Sequence, residues 1–273
     1  MKKPVIFFFF GAVIITGGLI AACVTNPLTG KSTMALVGNS ELFSSSFQQY
    51  DEFLTEHQVI TGTAESLLVE RVGTRIREAA EKWLVTEGAG SYLADYRWEY
   101  KLVRDDQVNA WCMPGGKIVV YTGILPLTQT EAGLATVMGH EVSHALLNHG
   151  QQRMSAAMLQ QFGAAGVGLL TGQKSQEGQS LAMTIYGAGS DLFGILPFSR
   201  DHESEADKIG LTLMAIAGYN PEEAVPFWER MSAGGGGMPE FLSTHPSDAT
   251  RIRDLRREMP GAKARAAEFG IVF

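Results

Sequence analysis

The sequence has few cysteines, since only Cys23 and Cys112 occur among its 273 residues. Two cysteines cannot build a disulfide scaffold or a cysteine-rich zinc site, so histidines and carboxylates must hold any bound metal. Basic residues are also scarce, with 22 Lys and Arg against 29 Asp and Glu. Because no basic run occurs, the composition argues against nucleic-acid binding. A hydrophobic fraction of 45% excludes a disordered chain and indicates a globular protein.

Residues 1–22 are predicted to be a signal peptide rather than part of the fold. Two lysines precede an apolar run from Val5 to Ile20, and small residues then lead to Cys23. This order resembles the lipobox of bacterial lipoproteins, which implies cleavage before Cys23 and lipidation of that residue. An uncleaved membrane anchor is the alternative, because the apolar run is nearly long enough to span a bilayer. By resemblance to bacterial sorting, Val24 in the second position favours the outer membrane, with the folded domain in the periplasm.

The remaining sequence predicts a predominantly helical α+β fold. Residues 23–39 are expected to be a tether, and residues 40–273 are expected to form one domain. Helical spacing runs over 40–57, 63–84, 128–148 and 200–217, and β-forming residues occupy 96–103 and 117–122. Residues 151–198 keep helical spacing but contain many glycines, which predicts a mobile helical hairpin over the functional site.

The most informative motif is His140-Glu141-Val142-Ser143-His144. Positions i and i+4 share one face of a helix, so both imidazoles point at one spot. Two neutral imidazole nitrogens at this spacing can hold Zn²⁺, and Glu141 beside them could accept a proton from water. The alternative is a chance match on a surface helix. Apolar neighbours predict a buried helix, where polar side chains need a compensating partner such as a metal.

A later acidic segment offers a third ligand. Glu203 and Asp207 are four residues apart, so they share a helix face. Glu203 could bind the metal, and Asp207 could accept a hydrogen bond from the outer nitrogen of a ligand histidine. The alternative is an exposed acidic face, because Asp201 and Glu205 are acidic too. His149 lies about half a turn from the ligand face of a continuous helix, which predicts a structural role.

Together these motifs resemble the gluzincin metallopeptidases, which combine HExxH with ExxxD on a later helix. Further matching segments narrow the resemblance to the HtpX-like and CAAX prenyl protease type 1 class. They are residues 109–116, residues 199–207, and Ser243-Thr244-His245-Pro246 followed by Arg251. With the lipobox, the chain looks like the secreted lipoprotein branch, the LoiP-like proteases. The resemblance implies a zincin-type domain with a small β-sheet, an HExxH helix and a later helix carrying the third ligand.

The resemblance also implies roles for individual residues. One Zn²⁺ per chain would be held by His140, His144 and Glu203, with Glu141 as general base and then general acid. An edge strand would pair with the substrate backbone, and this strand would contain Gly116, Lys117, Ile118, Val119 and Val120.

His245 has three possible roles, which the sequence leaves open. It could donate a hydrogen bond to the oxyanion, occupy the open metal position at rest, or only cap the last helix.

The implied function is a zinc-dependent endopeptidase acting on unfolded or misassembled cell-envelope proteins. A non-enzymatic zinc-containing assembly factor that binds outer-membrane-protein chains is the alternative. Glu141 favours the enzyme, because a structural zinc site needs no general base and usually closes with a fourth protein ligand. His245 could be that ligand, so the alternative stays open. A prenyl-protein protease would need a membrane-enclosed chamber, and the sequence has no further convincing span.

Overall fold

The structure is a computed structural model that describes residues 23–171, 198–233, 240–245 and 250–273. The predicted signal peptide, residues 172–197 of the predicted hairpin and the glycine run at 234–237 lie outside these ranges. Within the described ranges, no helix combines the length and the apolar character needed to cross a bilayer.

The predicted α+β, predominantly helical fold is confirmed. Short strands come mostly from the first half of the chain: β1 Cys23–Thr25, β2 Ser32–Met34, β3 Val59–Ile60, β4 Glu99–Val103, β5 Ala110–Met113 and β6 Lys117–Tyr121. Helices make up most of the remainder: α1 Asn39–Glu56, α2 Ala64–Thr86, α3 Leu125–Thr128, α4 Glu131–Leu146, α5 His149–Thr171, α6 Arg200–Ile216, α7 Ala224–Ala233, α8 Glu240–Thr244 and α9 Arg251–Glu268.

The main sheet has the strand order β3-β4-β6-β5. Strand β6 pairs in parallel with β4 and antiparallel with β5, so it lies inside the sheet. The expected edge position of Gly116, Lys117, Ile118, Val119 and Val120 is therefore wrong. The chain reverses at Gly115 and Gly116, whose φ angles of 88° and 90° favour glycine. This reversal folds β5 back onto β6, and β5 takes the edge.

Helix α4 carries the HExxH motif through the centre of the domain. Its residues from Gly133 to Leu146 are all buried. It packs against α2, α6 and β5, so its polar side chains lie in an interior where each needs a partner.

The ends of α4 differ from the sequence prediction. The helix begins at Glu131 rather than Thr128, because Gln129 has a φ of 59° that breaks the helical path. The Thr130 hydroxyl then caps the helix by accepting from the Gly133 N–H at 2.9 Å. At the other end α4 stops at Leu146, and Asn148, with a φ of 56°, turns the chain into α5.

The segment expected to be a tether is folded against the domain. Strands β1 and β2 form an antiparallel hairpin, and the side chain of Asn26 between them is buried. The Asn26 amide donates to the Leu146 carbonyl at 2.7 Å, which satisfies an orphan acceptor at the end of α4. Farther along, the Gln151 side chain donates to the Val37 carbonyl at 2.7 Å.

Candidate metal centre

Four buried side chains converge at the middle of the domain. His140 and His144 come from α4, Glu203 comes from the first turn of α6, and His245 directly follows α8. One ligand atom from each residue lies within 4.8 Å of the others. Each residue is only 2% to 4% exposed, so the group is almost entirely buried.

The spacings between neighbouring ligand atoms in this group are close to those between the ligands of a zinc ion. Zn–N and Zn–O distances of about 2.0–2.1 Å give ligand atoms about 3.3 Å apart in a tetrahedron. The Nε2 atoms of His140 and His144 are 3.1 Å apart, and His144 Nε2 is 3.3 Å from Glu203 Oε1. The Nδ1 atom of His245 lies 3.2 Å from His140 Nε2 and 3.1 Å from Glu203 Oε1. His245 therefore belongs to the donor set, as a fourth side chain beside the three expected ligands.

Asp207 lies behind His140, as expected for an orienting carboxylate. Its Oδ1 atom is 2.9 Å from His140 Nδ1, which directs His140 Nε2 toward the other ligand atoms. Arg251 donates to Asp207 at 2.7 Å and to Glu203 Oε2 at 3.1 Å. Although burial raises the pKa of the Asp207 carboxyl, Arg251 and His140 outweigh this effect and hold the pKa below its usual value. Arg251 thus bridges two carboxylates of the centre, a contact that the sequence motif did not reveal.

His149 lies behind His144, although the sequence predicted a structural role away from the ligand face. That prediction assumed a continuous helix, whereas the turn at Asn148 folds His149 back toward His144. Its Nδ1 atom is 2.9 Å from His144 Nδ1, and its Nε2 atom is 3.3 Å from Glu205 Oε2. The sequence did contain a signal for this turn. Asn148 precedes His149, and Asn tolerates the left-handed conformation that ends helices.

Glu141 sits beside the ligand cluster with its carboxyl group buried. Burial raises the pKa of this carboxyl above its usual value. The Oε1 atom lies 3.4 Å from His245 Nε2, on the side of the ring away from the other ligands. A raised pKa makes a carboxylate a stronger base, which suits proton abstraction.

A cavity of about 230 Å³ connects Glu141 to the edge of the sheet. Its lining includes β5, Glu141, His144, Phe198 and His245. The backbone of Cys112 in β5 lies beside the Glu141 carboxyl. A larger cavity of about 400 Å³ lies behind Glu203, between α6 and α9, and does not include Glu141. The smaller cavity is therefore the better candidate for a reaction site.

Comparison with known proteins agrees with this arrangement. The profile of Peptidase family M48 matches residues 71–259, which is more than half of the chain. The mitochondrial metalloendopeptidase OMA1 of Schizosaccharomyces pombe is 39% identical over 183 residues, covering 65% of this chain and 51% of the relative. OMA1 of Saccharomyces cerevisiae is 34% identical over 206 residues, covering 72% of this chain and 56% of the relative. The beta-barrel assembly-enhancing protease of Escherichia coli is 31% identical over 166 residues, covering 58% of this chain and 34% of the relative. The chain thus spans about half or less of these relatives.

Proposed function

The chain belongs to peptidase family M48, and we propose that it is a zinc-dependent endopeptidase acting on unfolded or misassembled cell-envelope proteins. One observation carries the proposal. A buried carboxylate, Glu141, adjoins a donor set whose spacing fits zinc and faces a cavity at a sheet edge. A site used only to stabilise the fold needs no such base.

Each residue of the centre has a role in this reaction. A zinc ion held by His140, His144 and Glu203 would supply Lewis acidity, which polarises a peptide carbonyl and lowers the pKa of water. Glu141 accepts the proton of the attacking water and later delivers it to the leaving amine. Asp207 keeps His140 in the tautomer that leaves Nε2 free to bind the metal.

Strand β5 is the segment that we propose for substrate binding. The carbonyl of Asn109, directly before β5, accepts a hydrogen bond from the Tyr121 N–H at 3.1 Å, so Asn109 and Tyr121 form a hydrogen-bonded pair at the end of the β5–β6 ladder. Hydrogen-bonded pairs alternate along an antiparallel ladder. Every second residue of β5, including Cys112, therefore directs its backbone N–H and C=O away from β6, toward the open edge of the sheet. An extended peptide pairing there would pass Glu141 and would be recognised through its backbone. Such binding has little sequence preference, which suits unfolded substrates.

For His245, we propose that it blocks the centre at rest. Its Nδ1 atom lies at the fourth corner of the donor set, the position that a catalytic zinc site keeps open. The ring stacks on Phe241 with centroids 4.4 Å apart, and the neighbouring Thr244 carbonyl accepts from the Phe198 N–H at 2.9 Å. Activity would require His245 to leave this position and expose Glu141.

The same four-ligand arrangement favours the second candidate, a zinc-containing assembly factor without catalysis. A closed set of four protein ligands is typical of structural zinc sites. The buried Glu141 distinguishes the two candidates, because only the enzyme uses it.

We also propose that the chain is a lipoprotein of the LoiP-like branch, anchored at Cys23 to the bacterial outer membrane with its domain in the periplasm. Support comes from the lipobox order of the leader and from the exposure of Cys23 at the start of β1. The Escherichia coli relative is named for beta-barrel assembly, whereas the OMA1 relatives are named as mitochondrial.

Casein digestion by purified residues 23–273, with and without a chelator, tests the proposed activity. Glu141→Gln removes the base and spares the ligands, so hydrolysis should fall by about 10²-fold or more while zinc content is kept. Glu203→Ala should lose both zinc and hydrolysis, because it removes a ligand. Chelator-sensitive digestion by purified Glu141→Gln at a rate near that of wild type would contradict the proposal. Absence of digestion by both zinc-loaded wild type and zinc-loaded His245→Ala would favour the assembly factor.

A further inference from the structure

We propose that His149 and Glu205 are positioning residues for the metal ligand His144. The His149 ring lies between His144 and the Glu205 carboxylate, whereas His140 contacts the Asp207 carboxylate directly. The inference rests on the proposed metal-binding function and adds a second support to the same centre.

The geometry forms an unbroken chain from the centre outward. His144 directs Nε2 toward His140 and Glu203, which leaves Nδ1 pointing away from them. That Nδ1 atom lies 2.9 Å from His149 Nδ1, and His149 is fully buried. On its other side, His149 Nε2 lies 3.3 Å from Glu205 Oε2.

Only one arrangement of protons satisfies every contact in this chain. A histidine that binds metal through Nε2 carries its proton on Nδ1, so His144 must donate to His149. His149 Nδ1 must then accept, which leaves its own proton on Nε2. That proton is donated to the Glu205 carboxylate, which can only accept. Glu205 therefore selects the tautomer of His149, and His149 selects the tautomer of His144.

Helix geometry explains why an intermediate ring is needed. Glu203 and Asp207 are four residues apart and share a face of α6, so both reach the ligand cluster directly. Glu205 is two residues from each, which turns it about 200° away from that face. Its carboxylate cannot reach His144 directly, and His149 spans the gap.

The outer end of the chain reaches the N-terminal hairpin. Glu205 also pairs with Lys31, which lies between β1 and β2. The Lys31 side chain is 63% exposed, so this ion pair is expected to contribute little. We therefore place the positioning role on His149 and Glu205, and expect Lys31→Met to change metal affinity less than about threefold.

Zinc dissociation constants, measured by competition with a chromophoric chelator, test the proposal without any substrate. His149→Phe keeps an aromatic ring but removes the acceptor, and zinc affinity should fall about 10–100-fold. His149→Asn keeps an acceptor near the Nδ1 position and should recover part of that loss. The visible spectrum of the Co²⁺-loaded protein should change in His149→Phe, because the His144 ring is no longer oriented. His57→Phe, the same substitution at a ring that stacks on Phe53 rather than on a metal ligand, is the matched control and should leave both measurements unchanged.

Two further variants separate the possible outcomes. Asp207→Asn perturbs the direct support of His140 and calibrates the assay. The Glu205 side chain is partly exposed, so Glu205→Gln should fold even if His149→Phe does not. It breaks the same series of hydrogen bonds, and zinc affinity should fall several-fold. The inference would be overturned if the His149 or Glu205 variants kept wild-type zinc affinity and an unchanged Co²⁺ spectrum while Asp207→Asn lost zinc affinity. Zinc binding without peptidase activity would contradict the proposed function alone, because affinity is measured separately.

Discussion

Gly210→Ala tests whether close packing of two helices holds the metal centre together. Helices α4 and α6 cross where Gly139 faces Gly210, directly beside His140. A Cβ atom added to Gly210 would lie 2.8 Å from the backbone nitrogen of His140 and 3.0 Å from the carbonyl oxygen of Gly139. Both contacts are with backbone atoms, which cannot rotate away. The added methyl group must therefore push the helices apart.

The required displacement is larger than the centre tolerates. Non-bonded contacts are comfortable at about 3.5 Å, so the helices must separate by about 0.5–0.7 Å. Metal–ligand distances tolerate changes of about 0.2 Å. Glu203 lies two turns before Gly210 on the same helix, so it moves with α6 away from His140 and His144. Zinc affinity should fall by about tenfold or more, as it does when ligands lose their orientation.

Stability should fall as well. Overpacking a close-packed interior costs about 1–3 kcal/mol, although better helix propensity of Ala returns up to about 1 kcal/mol. With the full return, the net loss is about 0–2 kcal/mol. For a chain of this size each kcal/mol shifts Tm by about 2–4 °C, so we expect a decrease of up to about 8 °C in the metal-free protein.

The assay combines chelator competition with thermal unfolding of the metal-free and zinc-loaded protein. Gly261→Ala is the matched control, because Gly261 lies in α9 with nothing within 4 Å of an added Cβ atom. This control should keep its zinc affinity and gain up to about 1 kcal/mol of stability. If Gly210→Ala behaved like Gly261→Ala in both measurements, close contact between α4 and α6 would not be what holds the metal centre together.

Two remaining predictions concern the resting state and the membrane anchor. Loss of a blocking ligand in His245→Ala should raise basal casein hydrolysis and leave zinc bound to three protein ligands. A decrease in kcat of about 10²-fold would instead indicate an oxyanion donor, and a lower Tm with normal activity would reject both roles. Cys23→Ser should abolish acyl labelling and release the protein from membrane pellets, or leave an unprocessed precursor. Acyl label persisting in this variant would contradict the lipobox and favour an uncleaved anchor.

Local spacing in the sequence was sufficient to predict the helices that carry the centre. His140 and His144 share a face because four residues make about one helical turn, whatever surrounds the helix. The same rule paired Glu203 with Asp207. With the motif order, it also predicted the metallopeptidase family and a predominantly helical α+β fold, which are confirmed. The role of each residue stays a prediction.

Tertiary structure decided the features that depend on segments distant in the chain. Strand β6 is interior because β4 pairs with its other side, and hydrophobic alternation cannot reveal how many neighbours a strand has. His149 reaches His144 because the turn at Asn148 interrupts the helix and Glu205 arrives from α6. His245 is 105 residues from His140, yet their nitrogen atoms are 3.2 Å apart. Helix geometry sets contacts within one turn, whereas contacts between segments exist only after the whole interior has packed.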